Sequence, residues 1–210
     1  MKIESLREPT VRGGRYTVTL DDGRRLRLEQ ATVGEFALYP GRELTAEELD
    51  QIRAANQRAS AKARAVRIIS ATNVSKKDLE RRLVQKGETP ELASEAVQWL
   101  TELNLLDDLE TARQLAQSAA RKGYGAARIR QILYQKGIDR QLWDEAMEEL
   151  PEPDDAIDRF LQSRFKGEKP DERETKRAVD ALLRRGHRWA DIRSAMARYT
   201  DALNDIMEEF

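Results

Sequence analysis

No cysteine occurs in the 210 residues, so a disulfide framework, a thiolate metal site and a Cys nucleophile are excluded together. Aromatic residues make up only 6% of the chain, against 36% charged. A core drawn from this composition must be thin and built mostly from Leu, Ile and Ala, as in helices whose outer faces are densely charged. No apolar run approaches the roughly 20 residues that span a bilayer. The opening "MKIESLREPT" also lacks the apolar segment of a signal peptide. These absences describe a cytoplasmic, membrane-free protein.

Charge of one sign is missing as well. The net charge of −1 argues against a protein built chiefly to coat DNA. Its distribution is less even than the sum. Residues 51–106 carry 10 Lys and Arg against 6 Asp and Glu, whereas residues 151–210 carry 12 against 14 and the first fifty 8 against 10. Both signs are presented, which suits a protein partner at least as well as a nucleic acid.

The first forty residues alternate in pattern. In "RYTVTLDDGRRLRLEQ", Tyr16, Val18 and Leu20 alternate with polar residues, Leu26 and Leu28 repeat the pattern, and Asp22-Gly23 marks a hairpin turn between them. A lone hairpin is marginal in water, so it should pair with a further strand or rest on a helix. "TVGEFALYPG" predicts a short helix ended by Pro40-Gly41. From Thr45 onward helix starts recur: the capping box "TAEE", then "SKKD" at Ser75, "TPEL" at Thr89 and "LDDLE" at Asp107 or Asp108.

Gly87, Gly137 and Gly186 each follow a cationic last turn and lie 50 and 49 residues apart. Leu83, Leu133 and Leu182 stand four residues before them, and Ala96, Ala146 and Ala195 nine after. A period of this length signals stacked supersecondary units. Each unit has an earlier helix (Ala54–Thr72, Leu109–Lys122, Asp154–Phe165), a helix ending at the glycine and one after it. The expected fold is mainly α. Three tandem three-helix repeats (45–106, 107–152 and 153–210) form an elongated curved body, preceded by a β-hairpin element at 1–44.

Catalysis finds no foothold. His187, alone of its kind, reads as a loop or surface residue without a ligand-spaced partner. Asp21-Asp22 belongs to a turn, and Asp107-Asp108 and Asp154-Asp155 open helices, where carboxylates meet the positive end of the dipole. No phosphate loop and no Ser-centred nucleophile motif occurs, so no catalytic residue, metal or cofactor is assigned. Trp99, Trp143 and Trp189 read as fillers of inter-helix gaps, Trp189 beside "RRGHR" being the nearest to a base-stacking position.

The stretch "GYGAARIRQILYQKGID", Gly123 to Asp139, is more ambiguous. Gly123 ends one helix and Gly125 turns into the next, on which Ile129, Ile132 and Leu133 share a face. That account leaves Arg121, Lys122, Tyr124, Arg128 and Lys136 gathered at the helix ends, able to meet carboxylates or phosphates.

"LLDDLETARQLAQSAARKGYGAARIRQILYQKGID", with "KKDLERRLVQKG" before it and "LLRRGHRWADI" after, resembles the RecX family of RecA regulators over about residues 57–200. The resemblance implies a non-enzymatic, monomeric modulator, most often negative. It would lie in the groove of the RecA–DNA filament, restrain ATP hydrolysis and strand exchange, and meet DNA weakly or through the filament. The candidate contacts are Arg81, Arg82 and Lys86 in the first repeat, Arg121, Lys122, Tyr124, Arg128 and Lys136 in the second, and Arg184, Arg185 and Arg188 in the third. The chain departs from the family pattern in the longer connection "RFKGEKPDERETKRA" and in His187, where an aromatic commonly follows "RG". The rival reading is a nucleic-acid-binding module that acts without RecA.

Overall fold

The computed structural model of the chain describes residues 1–11, 13–166 and 169–199. The stretch 200–210, which the sequence reading assigned to the third repeat, lies outside the described residues. The chain divides into two compact units: residues 1–73 with 78–106, and residues 74–77 with 107 onward.

In the first unit, β2 (Tyr16–Leu20) and β3 (Arg25–Leu28) form the expected hairpin. Its loop holds three residues rather than two, because Leu20 N–H donates to the Arg24 carbonyl across Asp21, Asp22 and Gly23 (2.9 Å). The further strand that the hairpin required is β1 (Ile3–Arg7), antiparallel to β2, giving the order β1-β2-β3. Ile3, Val18, Leu20 and Leu28 face inward and meet Leu38, Leu44, Leu49 and Ile52.

The short helix α1 (Gln30–Glu35) begins and ends earlier than the sequence suggested. Its end is set at Phe36 and Ala37, well before Pro40. The Thr45 start and the helix expected at Ala54–Thr72 are one element, α2 (Ala46–Ala71), 26 residues long and opened by a complete Thr45–Glu48 capping box. Its first half carries Leu49 and Ile52 to the sheet. Its second half buries Ala61, Ala65 and Ile68, the two alanines being small enough to let a neighbouring helix come close.

The helices α3 (Lys76–Gln85) and α4 (Pro90–Glu102) complete this set. Thr89 caps α4 and Pro90 occupies its first turn, where a missing N–H costs nothing. Arg64 of α2 clamps the intervening turn, pairing with Glu88 at 2.8 Å and donating to the Lys86 carbonyl.

The second unit contains α5 (Asp108–Arg121), α6 (Ala126–Gln135), a 3₁₀ turn at Arg140–Leu142 leading into α7 (Trp143–Met147), and then α8 (Pro153–Phe165), α9 (Glu172–Arg184) and α10 (Trp189–Met196). The helix after Gly137 is thus broken and short. Trp143 explains part of this, since its indole N–H donates to the Ile138 carbonyl (3.1 Å) and pins the turn. A capping box at Asp171 and Glu174, unnoticed in the sequence, starts α9.

Two cores result. One gathers Ala112, Ala116, Ile129, Leu133, Ile138 and Ala146; the other gathers Ile157, Leu161, Val179, Leu182, Ile192 and Met196. Trp189 packs against the latter and is half-buried, so it fills a gap between helices.

The repeat seen in the sequence is physical. Leu83, Leu133 and Leu182 are each 0% exposed, and Ala96, Ala146 and Ala195 are at most 3%. The three glycines close their helices identically. In each copy the glycine N–H donates to the carbonyl three residues back (2.9 Å), and the following residue's N–H reaches the buried leucine's carbonyl (3.1–3.2 Å). This paired closure requires a left-handed residue, and the glycine φ values are +93°, +72° and +84°. Full burial of each leucine contributes roughly 1.5–3 kcal/mol.

Candidate functional site

The paired aspartates have distinct duties. Asp107 caps its own helix, accepting from the Leu109 and Glu110 amides (2.8 and 3.2 Å). Asp108 accepts instead from the Lys76 amide (2.8 Å), and so caps the start of α3 across a gap of 32 residues. Burial pushes the Asp108 carboxyl above its usual range, opposed by the hydrogen bond from Lys76. Ser75 donates to the Lys136 carbonyl at the end of α6. The Val74–Lys77 segment is therefore held to α5 and α6 by hydrogen bonds that no local pattern announces.

The "GYG" stretch answers to the same logic. Gly123 ends α5 with φ +75°, as expected. Gly125 has another purpose. Its N–H donates to the Arg185 carbonyl (2.9 Å), and the Ala127 N–H donates to the Gly186 carbonyl (3.1 Å). A Cβ at Gly125 would lie 2.3 Å from the Gly186 oxygen, and a Cβ at Gly186 would lie 2.3 Å from the Arg128 nitrogen. The "GYG" and "RGH" turns thus touch backbone to backbone, at a distance only glycine allows.

His187 completes this joint and corrects the surface reading. It is 6% exposed, and its Nε2 lies 3.1 Å from the Gly123 carbonyl, which places the N–H on that nitrogen. It occupies the position of Ile138 and Glu88 in the other two copies, each following the glycine. Burial holds the imidazole below its ordinary value of 6.5, reinforced by the Arg185 charge and opposed by the Gly123 carbonyl and Asp191.

A base with a depressed folded value binds fewer protons folded than unfolded. Its contribution to stability is therefore full above 6.5 and is lost as pH falls through the folded value. Thermal melts from pH 7.5 down to 5 are expected to show a falling midpoint. In His187→Ile, which copies Ile138, that part of the fall is expected to vanish. An identical pH profile for both proteins would remove His187 as the cause.

The sequence-predicted contacts separate into groups. In the first unit Arg81 and Arg82 both pair with Asp78, whose side chain is 1% exposed, the Arg82 pair at 2.9 Å. Lys86 is exposed. In the second unit, Arg128 lies over the Tyr124 ring and bonds Gln131, while Lys136 terminates α6. Tyr124 lines a cavity of about 280 Å³ with Ile129, Met147, Leu150 and His187. Arg184 ends α9, and Arg188 precedes α10 as its N-terminal cap residue.

Arg121, Lys122 and Arg185 come together in one open groove of about 300 Å³, with Gly123, Phe160 and Ser163. Arg159, which sequence reasoning missed, joins them. The signal for it was present: Ala156, Arg159, Phe160 and Ser163 fall at i, i+3, i+4 and i+7, one face of α8. The Arg185 guanidinium rests over the Phe160 ring, 4.7 Å from its centroid, a cation–π contact. Arg159 donates to the Asp155 carbonyl. Among the described residues none of these four cations pairs with a carboxylate.

The described residues contain no group of side chains that could hold a metal ion, and no helix long and apolar enough to cross a membrane. What they present is a tandem helical-repeat protein whose most concentrated chemistry is an uncompensated cationic groove.

The description of the RecX second three-helix domain matches residues 107–147. Regulatory protein RecX of Escherichia coli O1:K1 / APEC is 33% identical over 150 residues, covering 66% of this chain and 90% of that protein. The chain belongs to the RecX family. Regulatory protein RecX of Cronobacter sakazakii (strain ATCC BAA-894) is 39% identical over 93 residues, or 40% of this chain; here the chain spans 56% of the relative's length. Two solved structures share the fold. A crystal structure of regulatory protein RecX superposes with a TM-score of 0.69 at 21% identity, over 93% of this chain and 98% of that one. RecX from Lactobacillus salivarius does so at 0.62 and 17%, over 69% and 97%.

Proposed function

We propose that this chain regulates a RecA-type recombinase by binding alone, as a monomer in the cytoplasm, seated in the groove of the RecA–DNA filament and restraining ATP hydrolysis and strand exchange. The observation that carries this reading is the alignment over 90% of a relative named a regulatory protein. The physics supports it. A series of helical repeats can touch neighbouring protomers of a polymer at several weak points, which raises the effective affinity without any single strong contact. The division at residues 44/45, 106/107 and 152/153 belongs to the same proposal, each segment acting as one contact module.

The test is RecA's DNA-dependent ATP hydrolysis as the full chain is titrated in. The expected result is inhibition at well below one copy per RecA protomer, because a filament is stopped at few points along its length. Unchanged hydrolysis at equimolar protein, with salt-sensitive binding to bare DNA, would move the chain to the rival class of nucleic-acid module.

A further inference from the structure

We propose that the groove between α1 and the second half of α2 is a docking site for a polypeptide partner, received as an amphipathic α-helix with carboxylates on its flanks. The groove holds about 640 Å³ and lies wholly within the first unit. α2 lines it with Ala55, Ala59 and Val66, α1 with Ala31 and Glu35, and α4 with Trp99. The N-terminal element therefore does more than precede the first repeat, because α1 packs on α2 and supplies one side of the groove.

The shape suits a helix. With about 3.6 residues per turn, Ala55, Ala59 and Val66 fall within about 40° of one another and run about 16 Å along α2. That is the length of about three turns of a second helix, and alanines let two helix axes approach closely. Val66 is exposed and Trp99 half-buried, so apolar surface of the kind that a partner covers is left to solvent. Trp99 carries the Lys62 ammonium 5.1 Å from its ring centroid, and its indole N–H donates to no group among the described residues. An aromatic with a free polar tip is the residue type that most often anchors a protein interface.

Charge decides the flanks. Arg58, Lys62 and Arg67 line the groove, and among the described residues neither arginine pairs with a carboxylate. Of the two acids in the lining, Glu29 is already held by Arg15 at 2.7 Å, which leaves Glu35. Three cations facing one free carboxylate favour acidic groups on the occupant. The apolar floor gives a phosphate chain nothing to bind, whereas it buries the seam of an amphipathic helix.

The test is fluorescence anisotropy of the full chain with a labelled, end-capped peptide about 18 residues long, long enough to form a helix alone. The peptide carries alanine and leucine on one face and glutamate on both flanks; its twin carries lysine instead of glutamate. The glutamate peptide is expected to bind at least about tenfold tighter than the twin. Arg58→Gln with Arg67→Gln should weaken it about 2- to 25-fold, the range for two exposed ion pairs. Ala59→Phe, which fills the floor from a partly exposed helical position, should weaken it by about tenfold or more. Arg53→Gln, a cation of α2 that is paired with Asp50 and lies outside the groove, should leave binding unchanged. Matching far-ultraviolet circular dichroism shows that each variant is folded.

Equal binding of the two peptides overturns the proposal, as does no binding of the glutamate peptide at about 1 mM. Displacement of the bound peptide by oligothymidine overturns it too, and assigns the cations to phosphate. Sedimentation equilibrium tests the remaining occupant: self-association that Ala59→Phe abolishes would give the groove to a second copy of this chain and overturn the assignment to a separate partner.

Discussion

Gly125→Ala is expected to cost the second unit about 3 kcal/mol, or roughly 8 °C in melting temperature. The position is not a left-handed turn, since it carries no positive φ. Its requirement is space. An added Cβ would meet the Gly186 oxygen at 2.3 Å, the Gly186 carbonyl carbon at 2.5 Å and the His187 nitrogen at 2.5 Å. All three are main-chain atoms, so no side chain can swing aside. Relief would require the "GYG" and "RGH" turns to separate. That would break the Gly125–Arg185 and Ala127–Gly186 backbone hydrogen bonds and would strip the cover from His187.

Gly34→Ala is the matched control. Gly34 lies within α1 with nothing near its missing Cβ, so alanine there should be neutral or stabilise by about 0.5–1 kcal/mol. Denaturation followed by helix signal distinguishes them. If Gly125→Ala melted with the wild-type protein, the close backbone approach would not be a constraint on this fold.

A second large effect is expected from two adjacent residues. Leu133→Ala should lose about 3 kcal/mol, while Tyr134→Ala should stay within about 0.5 kcal/mol of wild type. Leu133 is 0% exposed and packs in the core with Ala112, Ala116, Ile129 and Ala146. Removing its side-chain atoms from a fully buried position leaves a cavity, which adds to the transfer cost. Tyr134 is 66% exposed, and its backbone carbonyl, which any residue supplies, is what accepts from Gly137. The measurement is the urea midpoint at constant slope. Equal losses at both positions would mean that the repeat's inward-facing leucine carries no special share of the core.

The order and spacing of elements were legible in the chain because their causes are local. Caps, glycine closures and the buried leucines act within a few residues, so Thr45, Thr89, Asp107 and the 50- and 49-residue spacing of the glycines read directly as helix starts and stops. The alternation of Val18 and Leu20 with Thr17 and Thr19 set the hairpin for the same reason. The strand β1 escaped notice because "IESLR" has only two strongly apolar residues, and its place in the sheet is decided by pairing with β2.

The site was legible only in part. Composition could assemble Arg121, Lys122 and Arg185 as candidates, but it also offered Arg81 and Arg82, which the fold commits to the buried Asp78. Arg159 stands on a helical face that the spacing marks, but its meeting with Arg121, Lys122 and Arg185 is decided by the fold.

The sequence by itself determined the helical class, the threefold repetition and the absence of thiol chemistry, because these follow from neighbours along the chain. Tertiary structure alone decided that Asp108 caps a helix 32 residues away, that His187 is buried, and that Gly125 is needed for proximity rather than for a turn. It also decided which cations share a groove. Such facts depend on distances between segments far apart in sequence, and a one-dimensional pattern holds no measure of those distances.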